Sequence, residues 1–180
     1  MINLGGETIA RLFISYTGAD SFWTNEFYRD LKRALGYRAR IYFAEQMNLP
    51  GEEFGPLLWN SLRESEFFLV IVTPEATRSQ WVRDEVTAAL KLNTSSSLQP
   101  HRPIIISILN GSINDTEKID PALLRFHFAD FRNPYERENT IRRIAETIHH
   151  PDRLGNDREI LQEPLWRKAL RRANDFIIGE

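Results

Sequence analysis

Apolar positions along the chain fall into two kinds of stretch. One kind is short and continuous. Arg11-Leu-Phe-Ile-Ser-Tyr16 stops at Thr17-Gly18, Phe67-Phe-Leu-Val-Ile-Val72 stops at Thr73-Pro74, and Ile104-Ile-Ile-Ser-Ile-Leu109 starts after Pro103. Runs that do not alternate with polar residues are what a strand covered on both faces needs. Arg40-Ile-Tyr-Phe43 is a shorter strand, and Phe126 and Phe128 around His127 alternate as a last strand nearer an edge would. The other kind of stretch has helical spacing. Trp23, Phe27, Leu31 and Leu35 recur between a cap at Asp20 or Ser21 and a stop at Gly36. Phe54, Leu57, Leu58 and Leu62 give a second apolar face behind the Pro50-Gly51 loop and Glu52-Glu53. Ser79 to Leu92 and Pro134 to His149 predict two further helices.

Strands that alternate with helices imply a parallel sheet with helices on both faces. The expected fold is α/β, a flavodoxin-like five-stranded parallel sheet of order 2-1-3-4-5, with a C-terminal helix added. Ligands of such sheets bind outside the carboxyl ends of the strands, where the strand order reverses. Tyr16, Thr17 and Gly18 would line one wall of that crevice, and Thr73, Pro74 and the following helix the other. The expected division is a domain over 1–152 and a helical extension or linker over 153–180. Leu161, Leu165, Ala169, Leu170, Ala173, Phe176 and Ile177 share one side of that last helix. Such a face docks on its own domain, or it serves a partner or a regulatory domain at the C-terminus.

Composition narrows the chemistry. The 180 residues contain no cysteine, which excludes disulfides, thiolate metal sites and a cysteine nucleophile. A formal charge of -2 offers no basic excess for nucleic acid or a membrane surface. The N-terminus lacks the pattern of a secretory signal, and the apolar runs are too short to span a bilayer. The expectation is a soluble cytoplasmic protein. There is no Gly-rich dinucleotide fingerprint and no phosphate-binding loop ending in Gly-Lys-Ser or Gly-Lys-Thr. The four histidines, His101, His127, His149 and His150, show no metal-ligand spacing, so no metal or resident cofactor is expected. Ser15 and Ser79 lack a nucleophile elbow.

One residue breaks the helical pattern. At 100° per residue, Trp81, Glu85, Ala89, Val82, Val86 and Leu90 fall within one half of the Ser79–Leu92 helix, so Glu85 sits inside the apolar arc. A carboxyl there is desolvated or faces a crevice, and desolvation raises its pKa. Perturbed acids in clefts are candidate functional groups. The plainer alternative is a Glu that snorkels out to solvent or pairs with Arg83 or Arg78.

These residues also carry a resemblance. Phe13-Ile-Ser-Tyr16, the helix with Trp23, Phe43-Ala-Glu45 and Leu49-Pro-Gly51 stand in the order seen in Toll/interleukin-1 receptor (TIR) domains. So do Phe68-Leu-Val-Ile-Val-Thr-Pro74 and Ser79-Gln-Trp-Val-Arg-Asp-Glu85, and the likeness runs from Arg11 to His149. Some TIR domains are signalling scaffolds, and others, many bacterial ones among them, cleave NAD+ at the nicotinamide–ribose bond. The resemblance implies an NAD+ glycohydrolase or cyclase that yields nicotinamide and linear or cyclic ADP-ribose in innate or anti-phage immunity. Glu85 matches the catalytic acid of the enzymatic members, and Phe54 matches an aromatic near their substrate. Trp81, one turn before Glu85, would help hold the nicotinamide, and Tyr16 and Thr17 would approach the ribose or phosphates. Thr17 and Gly18 stand where some relatives carry arginines. The Glu45–Gly51 loop corresponds to the one through which relatives self-associate, so activity is expected to depend on assembly. The alternatives are a non-catalytic TIR adaptor and a nucleoside-type glycosyl transferase on the same fold.

One carboxylate suffices for the NAD+ reaction. Glycosidases need a second carboxyl group to protonate a leaving oxygen. Here the leaving group is a pyridinium that departs as neutral nicotinamide. A single carboxylate can then stabilise positive charge growing on the ribose.

Overall fold

The computed structural model describes residues 2–4, 7–43, 54–94, 103–111, 123, 126 and 128–154. The Glu45–Gly51 loop and the C-terminal helix expected beyond residue 157 lie outside them. The chain divides into two units, Met1–His149 and His150–Glu180. The described part of the second is one 3-10 turn over 151–154.

The runs without alternation form the centre of the sheet. The strands are β1 (Ile2–Leu4), β2 (Glu7–Ser15), β3 (Ala39–Phe43), β4 (Phe67–Val72), β5 (Ile104–Leu109) and β6 (Phe128–Asp130). All six residues of β4 are buried, because the strand has parallel neighbours on both edges and helices on both faces. β2 pairs with β4 from Leu12↔Phe67 to Ser15↔Val70, and β4 pairs with β5 from Phe67↔Ile104 to Val72↔Leu109. β3 joins the far edge of β2, and β6 joins β5. The parallel order is therefore β3-β2-β4-β5-β6, the 2-1-3-4-5 arrangement read from the sequence. β1 is an addition: it runs antiparallel to β2, with Leu4 opposite Glu7 and Ile2 opposite Ile9.

The helices are α1 (Ser21–Leu35), α2 (Phe54–Glu64), α3 (Pro74–Arg78), α4 (Gln80–Thr94) and α5 (Arg137–His149). None of the described helices is long and apolar enough to cross a membrane. Alternate residues of each strand feed two apolar layers. Leu12, Ile14, Leu69, Ile71 and Ile108 pack with Phe27 and Leu31 of α1 and Ile141 and Ile144 of α5. Phe13, Phe68, Val70, Ile105 and Leu109 pack with Leu62 of α2 and Val82, Val86 and Ala89 of α4. α1 and α5 are joined by an Arg137 Nε–Asp30 Oδ2 ion pair of 2.9 Å.

The helix expected from Ser79 is preceded by a separate turn. Thr73 accepts a hydrogen bond at Oγ1 from the Ala76 N–H, 3.0 Å, and Pro74 fills the first turn of α3, where its missing N–H costs nothing. Ser79 then leaves helical geometry at φ -75° and ψ 118°, and its Oγ accepts from the Val82 N–H of α4 at 3.3 Å.

Among the described residues, Gly36 and Gly111 hold positive φ. Gly36 ends α1 at φ 60° with open space where a Cβ would stand, whereas a Cβ on Gly111, at φ 119°, would lie 2.7 Å from Pro74 Cδ. Gly36→Ala should cost about 1 kcal/mol through backbone conformation alone. Gly111→Ala should cost more, because it adds a collision between the carboxyl ends of β4 and β5. Urea denaturation of the two variants checks this ranking, and equal midpoints would contradict it.

Candidate functional site

Glu85 is the one charged residue among the buried positions of α4, which are otherwise Val82, Val86 and Ala89. The helical period places it there, and the packing of those three apolar neighbours presses it onto the sheet. Its residual exposure is 1 %. Beneath it lies Ser15, the last residue of β2 and fully buried. Ser15 shares the face of Phe13, two residues earlier, and its Oγ–H donates to Glu85 Oε2 at 2.5 Å. Trp81, one turn earlier on α4, is partly buried against the same apolar layer and bears on the carboxyl as a hydrogen-bond donor. Oε1 still has no partner of full hydrogen-bond geometry among the described residues.

The electrostatics follow from that enclosure. Burial pushes the Glu85 carboxyl up from its ordinary 4.5 to about 7. The bonds from Ser15 and Trp81 favour the charged form and pull the other way, while neighbouring Asp84 adds to the upward push. The two arginines considered as ion-pair partners are engaged elsewhere. Arg83 binds the Thr77 carbonyl and Gln80, each at 2.9 Å, and Arg78 pairs with Glu75 at 2.7 Å. The result is a carboxyl group close to half-ionised at neutral pH, in an apolar layer, beside the carboxyl end of the central strands.

The crevice walls are bridged next to it. Asp20, expected as a helix cap, makes no side-chain cap hydrogen bond. Its Oδ2 instead accepts from the Thr73 hydroxyl, which ties the turn after β2 to the end of β4. The Asp20 carboxyl is raised from its usual value, chiefly by burial and further by Glu75, against the lowering effect of the Thr73 bond.

The structure brings Glu85 and Trp81 together on α4. Tyr16 turns to the opposite layer, where its ring meets Phe43 edge-on at 5.9 Å. Thr17 is partly exposed, and its carbonyl accepts from the Asp20 N–H at 2.9 Å. Phe54 is the first residue of α2, and its side chain lies outside the described ones. Sequence reasoning set Ser15 aside because only a nucleophile was sought. A serine near the end of the first apolar run, on the face toward the Glu85 helix, was the available signal. Among the described residues no group of three His, Asp or Glu could hold a metal ion.

A parallel sheet of order β3-β2-β4-β5-β6 with helices on both faces defines the class of flavodoxin-like α/β domains. Within that class the sequence matches the TIR domain family over residues 12–145, and the chain belongs to that family. The fold is similar to the TIR domain of the Toll-related receptor TRR-2 from Hydra magnipapillata, with TM-score 0.60 and 18% identity over 77% of this chain and 98% of that one. It is also similar to the TIR domains of the activated Roq1 resistosome, TM-score 0.55, 16% identical over 76% and 98% of the two chains. A metazoan TIR-STING receptor from C. gigas matches with TM-score 0.54 and 22% identity, over 74% of this chain and 40% of that one. No curated protein sequence matches the chain.

The enclosure of Glu85 has a measurable consequence for stability. Between 4.5 and about 7 the folded protein holds a proton that the unfolded chain has lost, so stability falls as pH rises through that window. Glu85→Gln removes the ionisation at nearly constant shape. Its advantage over the wild type should be small at pH 5 and grow toward pH 8 to on the order of 3 kcal/mol. Thermal melts across that range check this. An advantage independent of pH would show that Glu85 does not carry the shift.

Proposed function

We propose that the protein cleaves NAD+ at the nicotinamide–ribose bond, with Glu85 as the catalytic carboxylate. The observation that carries this reading is the Glu85 carboxyl itself, 1 % exposed, bonded to Ser15 and beside Trp81 rather than matched to an arginine. A structural ion pair would lower the pKa of an acid in this position, whereas this one stands at about 7.

The chemistry asks for such a group. The bond from the nicotinamide nitrogen to ribose C1′ breaks, and its electron pair returns to the pyridinium as neutral nicotinamide. Positive charge grows on the ribose, and the Glu85 carboxylate stabilises it from an apolar layer where its field is poorly screened. Water adds to C1′ and gives up a proton, for which a carboxylate with a pKa near neutrality is a suitable acceptor. An ADP-ribose hydroxyl or base nitrogen in place of water would give a cyclic product. Trp81 offers an aromatic surface for the nicotinamide ring. NAD+ is the substrate, and no resident cofactor takes part.

A carboxyl with 1 % exposure is closed to a substrate in this conformation. The groups above it must move before catalysis. That requirement fits an enzyme that is idle as a single copy and completed by self-association through the Glu45–Gly51 loop, in an immune or anti-phage setting. The second reading is a non-catalytic signalling adaptor, favoured by the likeness of fold to the TIR domain of a Toll-related receptor.

Nicotinamide release from NAD+ across a wide range of protein concentration separates the two. The proposal expects release that rises faster than linearly with concentration and falls at least about 100-fold in Glu85→Gln. Release that survives the substitution would move the catalytic role to another residue. No release at any concentration would favour the adaptor.

A further inference from the structure

Ser15 takes no part in the proposed reaction as described so far, yet it is the only side chain whose hydroxyl the structure bonds to Glu85 among the described residues. Its place is fixed twice over. It is a strand residue in register with Val70 of β4, and it is fully buried. Its hydroxyl proton is aimed at Oε2 at 2.5 Å, a short, charge-assisted geometry. The other oxygen, Oε1, has no donor of full hydrogen-bond geometry among the described residues, although the Trp81 indole also bears on the carboxyl. A buried acceptor left in that state costs free energy, which a donor on a bound ligand removes.

We propose that Ser15 is a positioning residue: by occupying Oε2 it fixes the Glu85 carboxylate so that Oε1 is the oxygen that receives a hydroxyl of the substrate's ribose. This rests on the NAD+-cleaving reading above. A carboxylate on two flexible side-chain bonds otherwise presents either oxygen to the sugar, in any rotation about its terminal torsion. A donor carried by the sheet removes that freedom, because a strand end moves far less than a loop. Ser15 fills one acceptor site of Oε2, which favours recognition of a single ribose hydroxyl through Oε1. The same bond also supports the charged form against burial, and the neighbouring charge on α4, Asp84, opposes it. Ser15 is thus the counterweight that keeps Glu85 usable near neutral pH.

The test replaces the hydroxyl in steps, as Ser15→Ala and Ser15→Cys, the second of similar volume but a weak donor. Two readouts are taken: the pH profile of nicotinamide release, and the carbon-13 titration of the Glu85 carboxyl in the protein without substrate. The expected result in Ser15→Ala is a fall of about ten-fold in kcat at pH 7 with KM within about two-fold. The acidic limb of the profile and the carboxyl titration should both move upward by about one pH unit. Ser15→Cys should fall between. A merely structural serine would lower stability without moving either titration, and that outcome overturns the proposal. Should the wild type release no nicotinamide, the activity reading fails by itself. The Glu85 titration then still decides whether Ser15 governs that carboxyl.

Discussion

The burial of a single carboxyl group under α4 is the constraint on which the rest of the site depends. Everything around it serves to hold or to tolerate that group. Val82, Val86 and Ala89 pack the helix onto the sheet on the same face as Glu85. The last residue of β2 supplies the donor it needs. An isolated buried carboxylate is expensive, and proteins commonly answer with a neighbouring cation. Here the nearby arginines bind elsewhere, and the answer is a hydroxyl, an indole and a shifted pKa.

That choice suits bond cleavage at a cationic centre. A carboxylate already neutralised by arginine has little field to offer a growing oxocarbenium ion. A carboxyl that stands at about 7 is partly charged at neutral pH and ready both to stabilise charge and to accept a proton. The closed state of the site and the bridge from Asp20 to Thr73 across the strand ends add the remaining element. The ground conformation protects the carboxyl from water, and the proposed reaction would require a rearrangement that opens it.

Much of this was legible in the sequence because its strongest signals are periodic. Continuous apolar runs marked β2, β4 and β5, and the one acid inside a helical arc marked Glu85. The resemblance to TIR domains rested on the same residues. What escaped is local or long-range. β1 needs only three residues, and its clearest sign is the Gly5-Gly6 pair that follows Leu4. α3 was hidden because Thr73-Pro74 reads equally as the end of a strand and the start of a helix. Asp20 satisfied every local rule for a cap, but a partner 53 residues away offered its carboxylate a better bond. Tyr16 was placed in the crevice by its position at a strand end. The alternation of the strand sends its ring to the other face instead. Ser15 was passed over because its role is to orient another residue, which no motif records.

A non-cleavable analogue of NAD+, its ribose ring oxygen replaced by methylene, blocks formation of the oxocarbenium ion and leaves the rest of the ligand intact. Its addition to the wild-type protein, at concentrations that permit assembly, would be followed through two signals, the Glu85 carboxyl carbon and the Trp81 indole N–H. The account predicts that both shift together and saturate with the same dissociation constant. Saturable binding that leaves both signals unchanged would place the NAD+ site elsewhere and contradict it.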